Sequence, residues 1–153
     1  MNLLIICGGN MGGAIAKALL NGKKRLFESV FVCDSNQEKL GILKKLGAKT
    51  LAELDRDVVG KCDVILLAVK PQDFSTLLSS LRHFLNTGKP KLILSIAAGI
   101  PISFIRSYLS TAHIIRIMPN TPALIGKGIS AWTADRKVPP TEKKIAKTLL
   151  QTM

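Results

Sequence analysis

Short, almost wholly apolar runs alternate along the chain with stretches of helical periodicity. Residues 2–7, 30–34, 63–69, 91–97 and 113–118 are apolar at most positions, the pattern of strands covered on both faces of a parallel sheet. Between them, residues 11–22 place Ile15, Ala18 and Leu19 on one helical face, and a second helix is capped by Asn36 and stopped by Gly47. Residues 48–62 predict a short extended piece and a short helix. Helices over 72–85 and Pro101–Leu109 follow, then an edge strand at 129–134 and a proline-started helix across 137–153. This alternation predicts one Rossmann-type, doubly wound α/β domain with a mainly parallel sheet over residues 1–153.

Composition narrows the class. Apolar residues make up 47% of the chain and charged ones 21%, which excludes a disordered polymer. No apolar run approaches the roughly 20 residues that span a bilayer. Ala14-Ile15-Ala16 imitates a signal-peptide cleavage site, but no positive segment precedes it and Lys17 interrupts it, so a cytoplasmic location is expected. Cys7, Cys33 and Cys62 make an odd count without C-x-x-C spacing, and each is expected to act as a small buried hydrophobe, with neither disulfide nor metal. The net charge of +12 invites a nucleic-acid reading. The basic residues nevertheless come in scattered groups such as Lys23-Lys24-Arg25, Lys44-Lys45 and Lys143-Lys144, and one Tyr and one Trp offer few stacking platforms. A solvated basic surface suited to small anions is the expectation, without nucleic acid.

The chemistry begins at "LLIICGGNMGGAIAKALL", residues 3–20, an apolar run that passes through glycines into a helix. Two registers of G-x-G-x-x-G fit two positions of three. One reads Cys7, Gly9, Gly12; the other reads Gly8, Asn10, Gly13. The middle position decides, because there the backbone must approach a pyrophosphate with no side chain between, and Asn10 would obstruct it. The first register is therefore preferred, with Cys7 standing for the tight-turn glycine. Asp34 ends the next strand 22 residues after Gly12, where a carboxylate can accept from an adenosine ribose hydroxyl; a strand-end turn residue is the alternative.

"CGGNMGGAI", "LLAVKPQ" (66–72), "SIAAGI" (95–100) and "RIMPNTPALIGKG" (116–128) follow in this order with ordinary Rossmann spacing. Together they resemble the N-terminal domain of the pyrroline-5-carboxylate reductase family, across essentially all 153 residues. The resemblance implies NAD(P)H-dependent reduction of the cyclic imine 1-pyrroline-5-carboxylate to L-proline, in proline biosynthesis. It also implies a C-terminal helical domain that makes the family's homo-oligomer and completes the cleft, expected to lie outside this chain. Carried onto this sequence, it has Cys7, Gly8, Gly9, Asn10, Met11 and Gly12 cradle the pyrophosphate, and Asp34, Ser35 and Asn36 face the adenosine ribose. Asp55 stands where family members often have Asn near the cofactor. Ala68, Val69, Lys70 and Pro71, with Ile96, Ala97 and Ala98, line the ribose and nicotinamide side. Met118, Pro119, Asn120 and Thr121 form the floor of the hydride-transfer cleft.

Imine reduction asks the protein mainly for positioning and water exclusion, because a protonated imine is already electrophilic. Lys70, Asn120 and Thr121 are the candidate polar groups, and no convincing general acid is present; His83 and His113 are expected to be structural. Asp34 disfavours a 2′-phosphate, while Ser35 and Asn36 can donate to one, so NADH and NADPH both stay open. A stand-alone dinucleotide-binding module without catalysis, and a β-hydroxyacid or coenzyme-F420-type reductase sharing the Rossmann half, are the other readings.

Overall fold

The computed structural model describes residues 1–22, 25–85, 89–120, 122 and 128–152. The strands are β1 (Asn2–Ile6), β2 (Ser29–Cys33), β3 (Lys49–Leu51), β4 (Val64–Leu67), β5 (Leu92–Ser95), β6 (His113–Pro119) and β7 (Ser130–Ala134). The helices are α1 (Asn10–Asn21), α2 (Gln37–Lys45), α3 (Arg56–Lys61), α4 (Phe74–Leu85), α5 (Ile102–Tyr108) and α6 (Pro140–Leu150), and a 3₁₀ turn at Pro71–Asp73 leads into α4. The strands form one sheet in the order β3-β2-β1-β4-β5-β6-β7, parallel except that β7 runs antiparallel on β6. The 3-2-1-4-5-6 order is that of the Rossmann fold, and it reverses direction between β1 and β4.

The central strands β1, β4, β5 and β6 serve two cores at once. Leu3, Ile5, Val64, Leu66, Leu92, Leu94, Ile115 and Ile117 pack on α1, α2 and α6, through Ile15, Leu19, Leu40, Leu43, Ala146 and Leu149. Leu4, Ile6, Ile65, Leu67, Ile93 and Ile114 point the other way, against α3, α4 and α5, through Val59, Phe74, Leu78, Leu81 and Ile105. This two-sided burial is why the strands carry no polar alternation. In α1 the buried face is Gly12, Gly13, Ile15, Ala16 and Leu19, so Ala16 takes the place expected for Ala18.

The expected edge strand is β7, and only Ser130 and Ala134 at its ends are half-buried. A salt bridge from Arg106 of α5 to Asp135 ties its end to the sheet, and the same guanidinium donates to the carbonyls of Ser110 and Ala112. Burial works against the Asp135 charge, but Arg106 and the Lys137 N–H outweigh it and hold the carboxyl below its ordinary range. Lys44 and Lys45 lie in the last turn of α2, as the charge pattern suggested; Lys23 and Lys24 lie outside the described residues. Among the described residues, no helix is long and apolar enough to cross a membrane.

Candidate functional site

The C-terminal ends of six parallel strands lie along one edge of the sheet, and the candidate residues fall there. The β1–α1 turn is the tightest part. Cys7 adopts φ +81, a left-handed conformation that L residues rarely take, and its N–H donates to Cys33 O at 2.8 Å. This left-handed φ falls on the first position of the Cys7-Gly9-Gly12 register. A Cβ on Gly12 would lie 2.1 Å from Cys7 O and 3.0 Å from the Ala68 Cβ, so Gly12 is where α1 passes closest to β1 and the end of β4. Gly13 is also tight, 2.9 Å from Gly8 O by the same measure.

Gly9 differs from both. A Cβ there would meet the Cys7 Sγ at 3.3 Å, with no other atom within 4 Å outside its chain neighbours, so the space beyond Gly9 is open. Gly9 is also the N-cap of α1, and no side chain caps the helix. The first-turn N–H groups of an α-helix have no intrahelical acceptor, and with the helix dipole they favour an anion. An open glycine, free donors and a sheet switch point together suit a pyrophosphate.

Asp34 follows β2. The Asn36 N–H donates to its Oδ1 at 2.8 Å, and its Oδ2 lies 3.7 Å from where a Cβ on Gly8 would project. It is thus a strand-end turn residue and a carboxylate turned to the glycine turn at the same time. Ser35 is exposed. Asn36 caps α2, accepting from the Lys39 N–H at 3.0 Å, and Asp55 caps α3 in the same way, accepting from the Val58 N–H at 2.9 Å. For both, helix capping accounts for one side-chain oxygen.

On the other half of the edge, the Ala68 N–H donates to Ile6 O and the Ile96 N–H to Leu67 O, which brings both loops beside the glycine turn. Ala68, Val69 and Ile96 are half-buried and Ala97 is buried, whereas Lys70, Pro71 and Ala98 are exposed. Met118, next to last in β6, is 43% exposed. Asn120 pins the returning chain, its Oδ1 accepting from the Ile129 N–H at 2.9 Å. Thr121 lies outside the described residues. His113 is at the opposite end of β6, its Nδ1 2.8 Å from Glu142 Oε2, and His83 is exposed on α4. Clefts of about 50 and 140 Å³ open at that opposite edge, near Leu109 and near Phe27. Both fall short of the ~300 Å³ at which ligand pockets begin.

The three thiols divide as their burial dictates. Burial pushes Cys33 and Cys62 up to about 11, which makes them inert core residues. Cys7 is only half-buried; burial raises its pKa too, with the Gly9 backbone acting against this and Asp34 adding to it. It is a turn residue under strain, not the plain buried hydrophobe expected. Non-glycine residues at positive φ cost about 1–2 kcal/mol. Cys7→Gly is therefore expected to raise unfolding stability by about 1 kcal/mol, after the extra chain entropy of glycine is subtracted. In urea unfolding the midpoint should rise at constant m-value; a fall would show that contacts of the sulfur outweigh the strain.

Known proteins resemble this chain in sequence and in fold. Pyrroline-5-carboxylate reductase from Pasteurella multocida is 36% identical, over 97% of this chain and 54% of its own length. A solved pyrroline-5-carboxylate reductase from Coxiella burnetii superposes with a TM-score of 0.90 at 28% identity, covering 99% of this chain and 56% of that one. The pyrroline carboxylate reductase of Plasmodium falciparum, solved with NADP bound, gives 0.81 at 25% identity, covering 99% and 55%. The chain therefore spans about half the length of the relatives it matches. Residues 2–99, well over half of the chain, match the family model described as "NADP oxidoreductase coenzyme F420-dependent", and the chain belongs to that family.

Proposed function

We propose that the chain is the dinucleotide-binding part of an NAD(P)H-dependent pyrroline-5-carboxylate reductase, which converts the imine 1-pyrroline-5-carboxylate to L-proline. One observation carries the cofactor: the uncapped N-terminus of α1, opened by Gly9 at the reversal of the strand order. The substrate rests on the relatives, which align over 97% of the chain. In this reading Gly8–Gly12 hold the pyrophosphate and Asp34–Asn36 face the adenosine ribose, with Asp55 nearby. Ala68–Pro71 and Ile96–Ala98 line the nicotinamide side, and Met118–Asn120 form the floor. When bound, the reduced nicotinamide supplies the hydride. The chain's own part is to orient the dinucleotide across the sheet edge and to leave its nicotinamide end beside β6. Lys70 and the side-chain amide of Asn120 are polar groups that can meet ribose or substrate there. The substrate is a small anion, in keeping with the basic surface, and the compartment we assign is the cytoplasm.

Gly9→Val tests the cofactor half. A Cβ there projects into the space assigned to the pyrophosphate and, its chain neighbours aside, has only the Cys7 Sγ within 4 Å. The variant should keep its circular dichroism and melting point while its affinity for NAD(H) and NADP(H) drops ~100-fold or more by titration calorimetry, about 2.7 kcal/mol. Unchanged affinity would place the pyrophosphate elsewhere.

A further inference from the structure

We infer that the cleft beside Phe27, at the sheet edge opposite the glycine turn, is a second ligand site that takes a small organic carboxylate with a compact apolar body. It stands independently of the dinucleotide reading. The cleft opens where α1 and α2 end and where β2 and β3 begin. Its floor is apolar: Leu19 and Leu20 from the last turn of α1, Phe27 just before β2, Val30 within it, and Leu46 at the end of α2. Leu19, Phe27 and Val30 also belong to the sheet core, so close packing fixes the floor. A volume of about 140 Å³ is too small for a nucleotide. It is close to the roughly 150 Å³ of a cavity that takes up one benzene molecule, so an apolar body of about six heavy atoms fits.

The rim is cationic. Arg25 and Lys49 line it, and Lys44 and Lys45 end α2 just ahead of Leu46. All four are exposed, and among the described residues none of them forms a salt bridge. The Lys49 ammonium instead lies over the Phe31 ring, 5.2 Å from its centroid. Glu28, the carboxylate on the rim, is already bonded to the Met1 ammonium at 2.7 Å. The carbonyl ends of α1 and α2 add about half a negative charge each. Four cations outweigh these, so the cleft attracts an anion and repels an ammonium. Arg25 supplies a planar fork that matches a carboxylate. A bare inorganic anion would leave the apolar floor in water, and a neutral apolar molecule would leave the cations unused. A carboxylate on a compact apolar body meets both.

Benzoate is the probe, titrated into the isotopically labelled 153-residue chain and followed through its backbone amide resonances. The amides of Leu20, Ser29, Gly47 and Lys49 should shift together and saturate, with a Kd on the order of 1 mM. Benzyl alcohol, with the same ring and no charge, should bind at least about tenfold more weakly. Inorganic phosphate, with charge and no apolar body, should also be weaker by about tenfold. Arg25→Gln and Lys49→Gln together should weaken benzoate about tenfold, while resonances away from the cleft stay in place and report an intact fold. Shifts centred on Gly8 and Gly9 would put the anion at the β1–α1 turn and overturn the inference. Absence of a saturable shift at the cleft, equal binding of benzyl alcohol or phosphate, or unchanged affinity in the double variant would overturn it as well.

Discussion

Replacing Gly12 with alanine is expected to cost this chain about 3 kcal/mol of stability or more, and to remove dinucleotide binding with it. The alanine Cβ would sit 2.1 Å from the backbone oxygen of Cys7 and 3.0 Å from the Ala68 Cβ. No rotamer can relieve a clash between two backbone-fixed atoms. The first turn of α1 would have to move off β1 by about an ångström or more, against the close packing of Ile15, Ala16 and Leu19 beneath it. That motion would also carry away the helix N–H groups assigned to the pyrophosphate. Gly41 is the control. It lies within α2 with no atom within 4 Å of its added Cβ and no positive φ, so Gly41→Ala should stabilise by about 0.5–1 kcal/mol. Urea unfolding of both variants measures the contrast. Equal, small effects would mean that the β1–α1 contact is far softer than its geometry.

The difference between these two glycines shows what a sequence does and does not disclose. Wholly apolar strands between amphipathic helices read directly as a doubly covered parallel sheet, because two-sided burial leaves no polar positions to confuse the period. The preference between the two glycine registers also comes from the sequence, since only one spacing leaves a bare backbone at the middle position. Cys7 was not. A cysteine held at φ +81 carries no local signature; the β1–α1 turn imposes the angle, and the residue takes the strain. Asn36, Asp55 and Asn120 were ambiguous for another reason. A polar residue after a strand can meet a ligand, cap the next helix or pin a loop, and all three side chains already accept a backbone N–H. Only Asn36 announced its cap, through the helix that follows. The ion pair between Arg106 and Asp135 joins α5 to the end of β7 across 29 residues, a separation over which no spacing rule operates.

A polypeptide of these 153 residues, assayed alone, is expected to bind dinucleotide yet reduce 1-pyrroline-5-carboxylate at well under 1% of a typical enzyme rate of ~10 per second. The reaction needs the imine carbon held within about 3.5 Å of the hydride donor, away from water. Among the described residues, the nicotinamide side offers little for either task. Met118 is 43% exposed, Trp132 40% and Ile129 79%, so the apolar groups around the end of β6 face solvent instead of enclosing a substrate. Of the candidate polar groups, Lys70 is exposed, and Asn120 already accepts the Ile129 N–H. His113 is held by Glu142 at the far edge of the sheet. No basic side chain among the described residues is fixed where it would receive the substrate carboxylate, and the effective molarity that such a clamp supplies is lost. The same exposed apolar surface should make the polypeptide prone to weak self-association. It should run near its monomer mass of 16.5 kDa on dilute size exclusion and drift larger with concentration. The decisive measurement is steady-state NAD(P)H oxidation with saturating imine, at a protein concentration where binding is verified by fluorescence. Turnover near 10 per second would place the whole catalytic apparatus on this sheet edge, and would turn Lys70 and Asn120 from candidates into the first residues to replace.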